Sequence, residues 1–169
     1  MDENQSGVKS QSNSTNGQTT QPPCLANQPV GSSRANLPPQ KPAANILGKV
    51  MLVEDDPTMV KMYSTKLGLE GFAVEIACDG EEGLKKIKEL LPDLVVLDLM
   101  IPKMGGMEVL EQLRADPKTK SLPVIVLSNL SQEQDIQRSH QLGVSEFLIK
   151  ANFTPGQVVE KIKSILNKG

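Results

Sequence analysis

The sequence predicts an α/β domain: five parallel strands in one doubly wound sheet, with helices on both faces. Three observations carry this. From Gly48 onward, five short runs rich in Val, Leu and Ile alternate with five amphipathic stretches. The runs are apolar at consecutive positions, as in strands buried on both faces of a parallel sheet. Most of the amphipathic stretches open on a helix-capping residue. Such alternation implies parallel strands joined by right-handed crossover helices.

Lys49 to Glu54 is the first strand. Asp56 can cap the next helix, with Pro57 at its first position, and that helix runs to about Glu70. Phe72 to Ala77 is the second strand, and Asp79 caps a second helix ending near Leu91. Glu82 is spaced for a reciprocal capping contact. Asp93 to Asp98 is the third strand; a loop from Leu99 to Gly105 leads into a helix over 106–115. Pro123 to Ser128 is the fourth strand, followed by a helix opened by Ser131 and Gln134 and ending near Gly143. Ser145 to Ile149 is the fifth strand. Thr154, Pro155 and Gln157 open the last helix, which ends near Asn167. About 120 residues suffice for one such domain with its own core.

The remainder of the 169-residue chain is of a different kind. Residues 1–47 are dominated by Gln, Asn, Ser, Thr, Gly and Pro, and hold six of the twelve prolines. They contain no aromatic residue and no apolar periodicity, so burial cannot offset the entropy of ordering them. We expect a disordered tail over 1–47 and one folded domain over 48–169. The tail has three cations, Lys9, Arg34 and Lys41, against Asp2 and Glu3, which leaves −3 on the domain out of a total of −2.

These numbers exclude several classes. An acidic domain is a poor nucleic-acid binder. The four aromatic residues, Tyr63, Phe72, Phe147 and Phe153, are too few for a base-stacking surface. No apolar run approaches the roughly 20 residues that span a bilayer, and no signal peptide is visible. Cys24 and Cys78 lie far apart and suggest neither a disulfide framework nor a metal knuckle. A cytoplasmic protein is expected. The chain stops after the fifth helix, so we expect no attached output domain.

In an open doubly wound sheet, ligands bind at the carboxyl ends of the strands, where the strand order reverses. For the flavodoxin-like order 2-1-3-4-5 that point lies between the first and third strands. Glu54 and Asp55 end the first strand and Asp98 the third; Ser128 ends the fourth and Lys150 the fifth. Fold logic alone thus gathers three carboxylates, a hydroxyl and an ammonium. Carboxylates crowded there repel and resist desolvation, so they need a cation or basic partner. An all-oxygen cluster suits a hard ion such as Mg²⁺. Asp56 is better read as a helix cap than as a ligand. His140, the only histidine, reads as a surface residue of the fourth helix.

The chain resembles the receiver domain of bacterial two-component response regulators. The motifs that carry the resemblance are Val-Met-Leu-Val-Glu-Asp-Asp, Asp-Leu-Val-Val-Leu-Asp-Leu-Met-Ile-Pro-Lys-Met-Gly-Gly, Pro-Val-Ile-Val-Leu-Ser and Phe-Leu-Ile-Lys. They span about Lys49 to Asn167 in the family's order. The resemblance implies that Asp98 accepts a phosphoryl group from a sensor histidine kinase or phosphotransfer protein. It implies Mg²⁺ held by Glu54, Asp55, Asp98 and the backbone carbonyl of Met100. Lys150 and Ser128 would contact the phosphoryl oxygens, and Phe147 would be the switch aromatic. A downstream protein would read the face made by the fourth helix, fifth strand and fifth helix. The protein would act as a monomer or a phosphorylation-dependent dimer, not as an enzyme of general turnover. Where the family usually has Pro after the lysine, this chain has Ala151, so a trans bond or a rearranged loop is expected. The alternatives are a flavin or nucleotide carrier, a metal-dependent phosphohydrolase, and an interaction module that works without phosphorylation. Acidic residues after the first strand disfavour the first, since a phosphate-binding turn wants bare backbone amides.

Overall fold

The structure, a computed structural model, describes residues 46–130 and 132–167. The expected disordered tail therefore lies outside the described residues except for Ile46 and Leu47, both exposed. The Leu47 amide already donates to the Gly71 carbonyl at 3.0 Å.

Five strands, β1 (Lys49–Val53), β2 (Ala73–Ala77), β3 (Leu94–Leu97), β4 (Val124–Ser128) and β5 (Glu146–Ile149), form one sheet in the order β2-β1-β3-β4-β5. All four pairings are parallel. The helices are α1 (Pro57–Leu69), α2 (Gly80–Leu90), α3 (Gly106–Ala115), α4 (Glu133–Gln141) and α5 (Pro155–Leu166). The predicted flavodoxin-like fold is the observed one.

Alternation along the strands divides the core in two. Val50, Leu52, Leu94, Val96, Ile125, Leu127 and Leu148 face α1 and α5, where Tyr63, Leu67, Val158, Val159 and Ile162 meet them. Met51, Val53, Ala77, Val95, Leu97 and Val124 face the other side, against Ile87, Val109, Leu110 and Leu113. Each large aliphatic side chain buried this way contributes about 1.5–3 kcal/mol. Both faces are covered, which is why the strands read as unbroken apolar runs.

The expected caps are present with two differences. Asp56 accepts from the Thr58 amide at 2.7 Å, and Thr154 with Gln157 forms a capping box on α5. Asp79 accepts from the Glu82 amide at 2.8 Å, but Glu82 does not reach back to Asp79. Its carboxylate accepts from the Cys78 amide, one residue earlier. α4 starts at Glu133 after Gln132 and has no side-chain cap among the described residues; Ser131, the expected cap, lies outside them. Cys78 is not a free thiol; Cys24 lies outside the described residues. A 3₁₀ turn over Lys150–Asn152 was not expected. No cis peptide occurs among the described residues, so the bond before Ala151 is trans as anticipated.

Two glycines allow a close approach that positions the site. A Cβ on Gly106 would lie 2.1 Å from the Asp98 carbonyl oxygen, and one on Gly80 would lie 1.9 Å from that of Met104. Both obstacles are backbone. The loop after β3 is thereby held against the starts of α2 and α3. Gly106→Ala must displace the backbone that carries Asp98. We expect it to lower stability by about 1–3 kcal/mol, the usual cost of overpacking, as a shift in the urea midpoint. An unchanged midpoint would show that this contact yields freely.

Candidate functional site

The carboxyl ends of β1, β3, β4 and β5 converge as the strand order requires. Glu54 follows β1, Asp98 follows β3, Ser128 closes β4 and Lys150 follows β5. Lys150 Nζ lies 2.6 Å from Asp98 Oδ2 and 2.5 Å from Glu54 Oε2. The Lys150 side chain is 7 % exposed, Asp98 7 % and Glu54 2 %. One ammonium is thus clamped between two carboxylates out of bulk water.

Asp98 has two further donors. Ser128 Oγ donates to Oδ1 at 2.6 Å, and the Met100 amide donates to the same oxygen at 3.0 Å. Both Asp98 oxygens therefore have partners, Oδ1 from neutral donors and Oδ2 from a cation. Its own backbone amide is fixed on the Val53 carbonyl, tying the residue to β1.

The protonation balance follows from burial and pairing. Burial is the largest influence on Glu54 and pushes its pKa up; the hydrogen bond and charge of Lys150 only partly oppose this. Burial also disfavours the Lys150 charge. Its hydrogen bonds to Asp98 and Glu54, with their charges, outweigh that and hold its pKa above the ordinary lysine value.

Asp55 differs in being exposed. One carboxylate oxygen each of Glu54, Asp55 and Asp98 lie within 4.8 Å of one another, so the three can share a cation. The donor set is entirely oxygen, and the exposed Asp55 leaves room for water ligands. That combination is compatible with Mg²⁺, which keeps much of its hydration shell in proteins. Asp56 stands apart: it is exposed and its carboxylate is engaged by the Thr58 and Met59 amides. Those amide bonds hold its pKa down, as befits a cap.

Phe147 lies outside this cluster. It sits on β5 opposite Val126 and is half-buried. Its neighbour Leu148 belongs to the core under α1 and α5, so strand alternation puts the ring on the other face. His140 is exposed on α4.

Residues 50–163 match the family model of the response regulator receiver domain. The chain belongs to that family. Among curated relatives it is 32 % identical over 120 residues to the DNA-binding dual master transcriptional regulator RpaA of Synechocystis, covering 71 % of this chain and 49 % of RpaA. It is 36 % identical over 120 residues to the alkaline phosphatase synthesis transcriptional regulatory protein PhoP of Bacillus subtilis, covering 71 % of this chain and 49 % of PhoP. The chain spans about half the length of the curated relatives it matches. A CheY-like receiver domain structure from Methanospirillum hungatei superposes with a TM-score of 0.67 at 28 % identity, covering 71 % of this chain and 94 % of that one. A response regulator structure from Chloroflexus aurantiacus gives 0.66 at 30 % identity, covering 71 % and 98 %.

The structure brings together the five polar strand-end residues that the sequence pointed to, and adds one support that the sequence did not show. Lys103, in the left-handed conformation (φ 65°), pairs with the buried Asp79 at 2.5 Å and pins the loop after β3 to α2. A lone Lys in a loop gives no sequence signal of its target. Glu54 was read chiefly as a metal helper; its close partner here is Lys150.

Replacing Lys150 with Met would leave two buried carboxylates without their cation. At pH 7 with a chelator present we expect a loss of about 3–5 kcal/mol, typical of breaking a buried pair from one side. The loss should shrink as the pH falls toward the raised Glu54 pKa, because protonation removes one of the charges. Urea unfolding at both pH values reads this, and an equal loss at each would contradict it.

Proposed function

We propose that this receiver domain is a phosphorylation-operated switch with Asp98 as the acceptor. The observation that supports it is the Asp98 carboxylate held between Lys150 and Ser128, beside an all-oxygen cluster. An oxygen of Asp98 would attack the phosphorus of a phosphohistidine on a sensor histidine kinase or phosphotransfer protein. The P–O bond forms as the P–N bond breaks, and the imidazole leaves with the electron pair and takes up a proton. Positioning and charge neutralisation supply most of the catalysis in such transfers.

Glu54, Asp55, Asp98 and the Met100 carbonyl would hold Mg²⁺, which when bound neutralises phosphoryl charge. The Met100 amide bond to Asp98 keeps that stretch of backbone beside the acceptor. Lys150 would transfer part of its pairing from Asp98 to a phosphoryl oxygen. Ser128 would turn its proton from Asp98 Oδ1 to the phosphoryl group and draw the following loop inward. Phe147, half-buried and outside the polar cluster, would follow that movement. The changed surface would be α4, β5 and α5, a two-state element biased by one added charge.

The reading confines chemistry to phosphotransfer onto Asp98 and later hydrolysis, without turnover of other substrates. RpaA is named as DNA-binding, but the shared part is the receiver domain. For this chain we propose protein contacts in the cytoplasm, as a monomer or phosphorylation-dependent dimer. No helix among the described residues is long and apolar enough to cross a membrane.

Acetyl phosphate with Mg²⁺, followed by intact mass, tests the acceptor. Wild type should gain one phosphoryl group, Asp98→Asn none, and chelation should abolish the gain. An unlabelled wild type, or equal labelling of Asp98→Asn, would overturn the reading.

A further inference from the structure

α4 is built differently at its two ends. Its N-terminus follows the Ser128 loop, and among the described residues no side chain caps it. Its C-terminus is closed by a Schellman motif: Gly143 is left-handed (φ 68°), its amide donates to the His140 carbonyl at 2.9 Å, and the Val144 amide donates to that of Ser139 at 3.2 Å.

Arg114, near the end of α3, reinforces that end. Its Nε donates to the Leu142 carbonyl at 2.7 Å, and Nη2 donates to the Gly143 carbonyl at 3.0 Å. Its Nη1 donates to the Leu122 carbonyl at 3.1 Å and the Thr119 carbonyl at 3.5 Å. One guanidinium therefore ties the end of α4 to the segment that enters β4. Its positive charge also suits a helix C-terminus. Its planar fork of donors reaches several carbonyls at once, which a lysine could not.

α4 has no fully buried apolar side chain. Ser139 is its only buried residue, and the Ser139 hydroxyl has no hydrogen-bond partner. By contrast α3 buries Val109, Leu110 and Leu113.

We infer that Arg114 is the pivot of α4: it fixes the helix's C-terminal end, so that the N-terminal end alone follows the Ser128 loop. The inference rests on the proposed switch for what drives the motion, but not for the clamp itself. The output face would then change most beside the phosphorylation site and least at Leu142–Val144. Arg114 is a positioning residue and touches no reacting atom.

Amide hydrogen exchange on the full chain tests this, in the unliganded protein and with Mg²⁺ and beryllofluoride. In unliganded wild type, the amides of Leu142, Gly143 and Val144 should exchange at least about tenfold more slowly than those of Asp135 and Ile136. Arg114→Met should remove most of that difference, and Arg114→Lys should restore it only in part. Urea unfolding of each variant separates local from global loosening. If the Met variant does not fold, the Lys variant decides by the same comparison. Beryllofluoride should alter exchange at Glu133–Ile136 and leave Leu142–Val144 unchanged. Equal exchange at both ends in wild type, or unaltered protection of Leu142–Val144 in both variants, would overturn the clamp. An equal beryllofluoride effect at both ends would overturn the pivot. No beryllofluoride effect at Asp98 would overturn the proposed function, while the unliganded comparison still decides the clamp.

Discussion

Lys150 stands with one ammonium between two carboxylates, and the site depends on that arrangement. Glu54 and Asp98 come from strands adjacent in the sheet, and Lys150 comes from the far edge strand, β5. Burial pushes Glu54 toward its neutral form, and the Lys150 cation close by opposes this. The lysine could not stay buried without the two carboxylates. The apolar strand bodies in turn keep water from relieving either partner from below. The sheet order, the core and the polar cluster are thus one constraint seen at three scales.

The same geometry sorts the acidic residues by environment. Asp56 spends its charge on backbone amides, Glu54 and Asp98 on Lys150, and Asp55 remains at the solvent edge. A cation entering from solvent would meet Asp55 first and would then compete with Lys150 for Glu54 and Asp98. Any added phosphoryl charge redistributes the same few partners. This makes the cluster responsive, because its charges are balanced by one shared ammonium rather than by fixed dipoles alone. The end of the molecule holding α4's Schellman motif and Arg114 answers little to that change. Rigidity at one end of a helix converts a local shift into rotation rather than diffuse loosening.

Much of this was legible in the sequence, for reasons that particular residues make plain. The runs Val50–Val53 and Leu94–Leu97 are buried throughout, so apolar continuity alone placed them in a two-sided sheet. Asp56 and Thr154 cap through bonds to residues two or three positions on, which spacing can predict. The strand-end residues of the site were found because topology, not sequence distance, puts them together. What escaped was long-range and aimed at backbone. Arg114 binds carbonyls from two separate loops, and carbonyls have no sequence signature. The Glu82 contact slipped by one residue to Cys78, within the tolerance of a flexible side chain. The 3₁₀ turn over Lys150–Asn152 left no hint of its form in the composition.

The charge state of Lys150 tests the central claim most directly. Titration of lysine side-chain carbon resonances by NMR, assigned with Lys150→Met, follows it alone. The account predicts that Lys150 keeps its proton above the ordinary lysine range, because its hydrogen bonds to Asp98 and Glu54 outweigh burial. It further predicts that replacing both partners, Asp98→Asn with Glu54→Gln, lets burial dominate and moves the titration below that range. A Lys150 that loses its proton below the ordinary range in wild type, or that is unmoved by removal of both carboxylates, would contradict it.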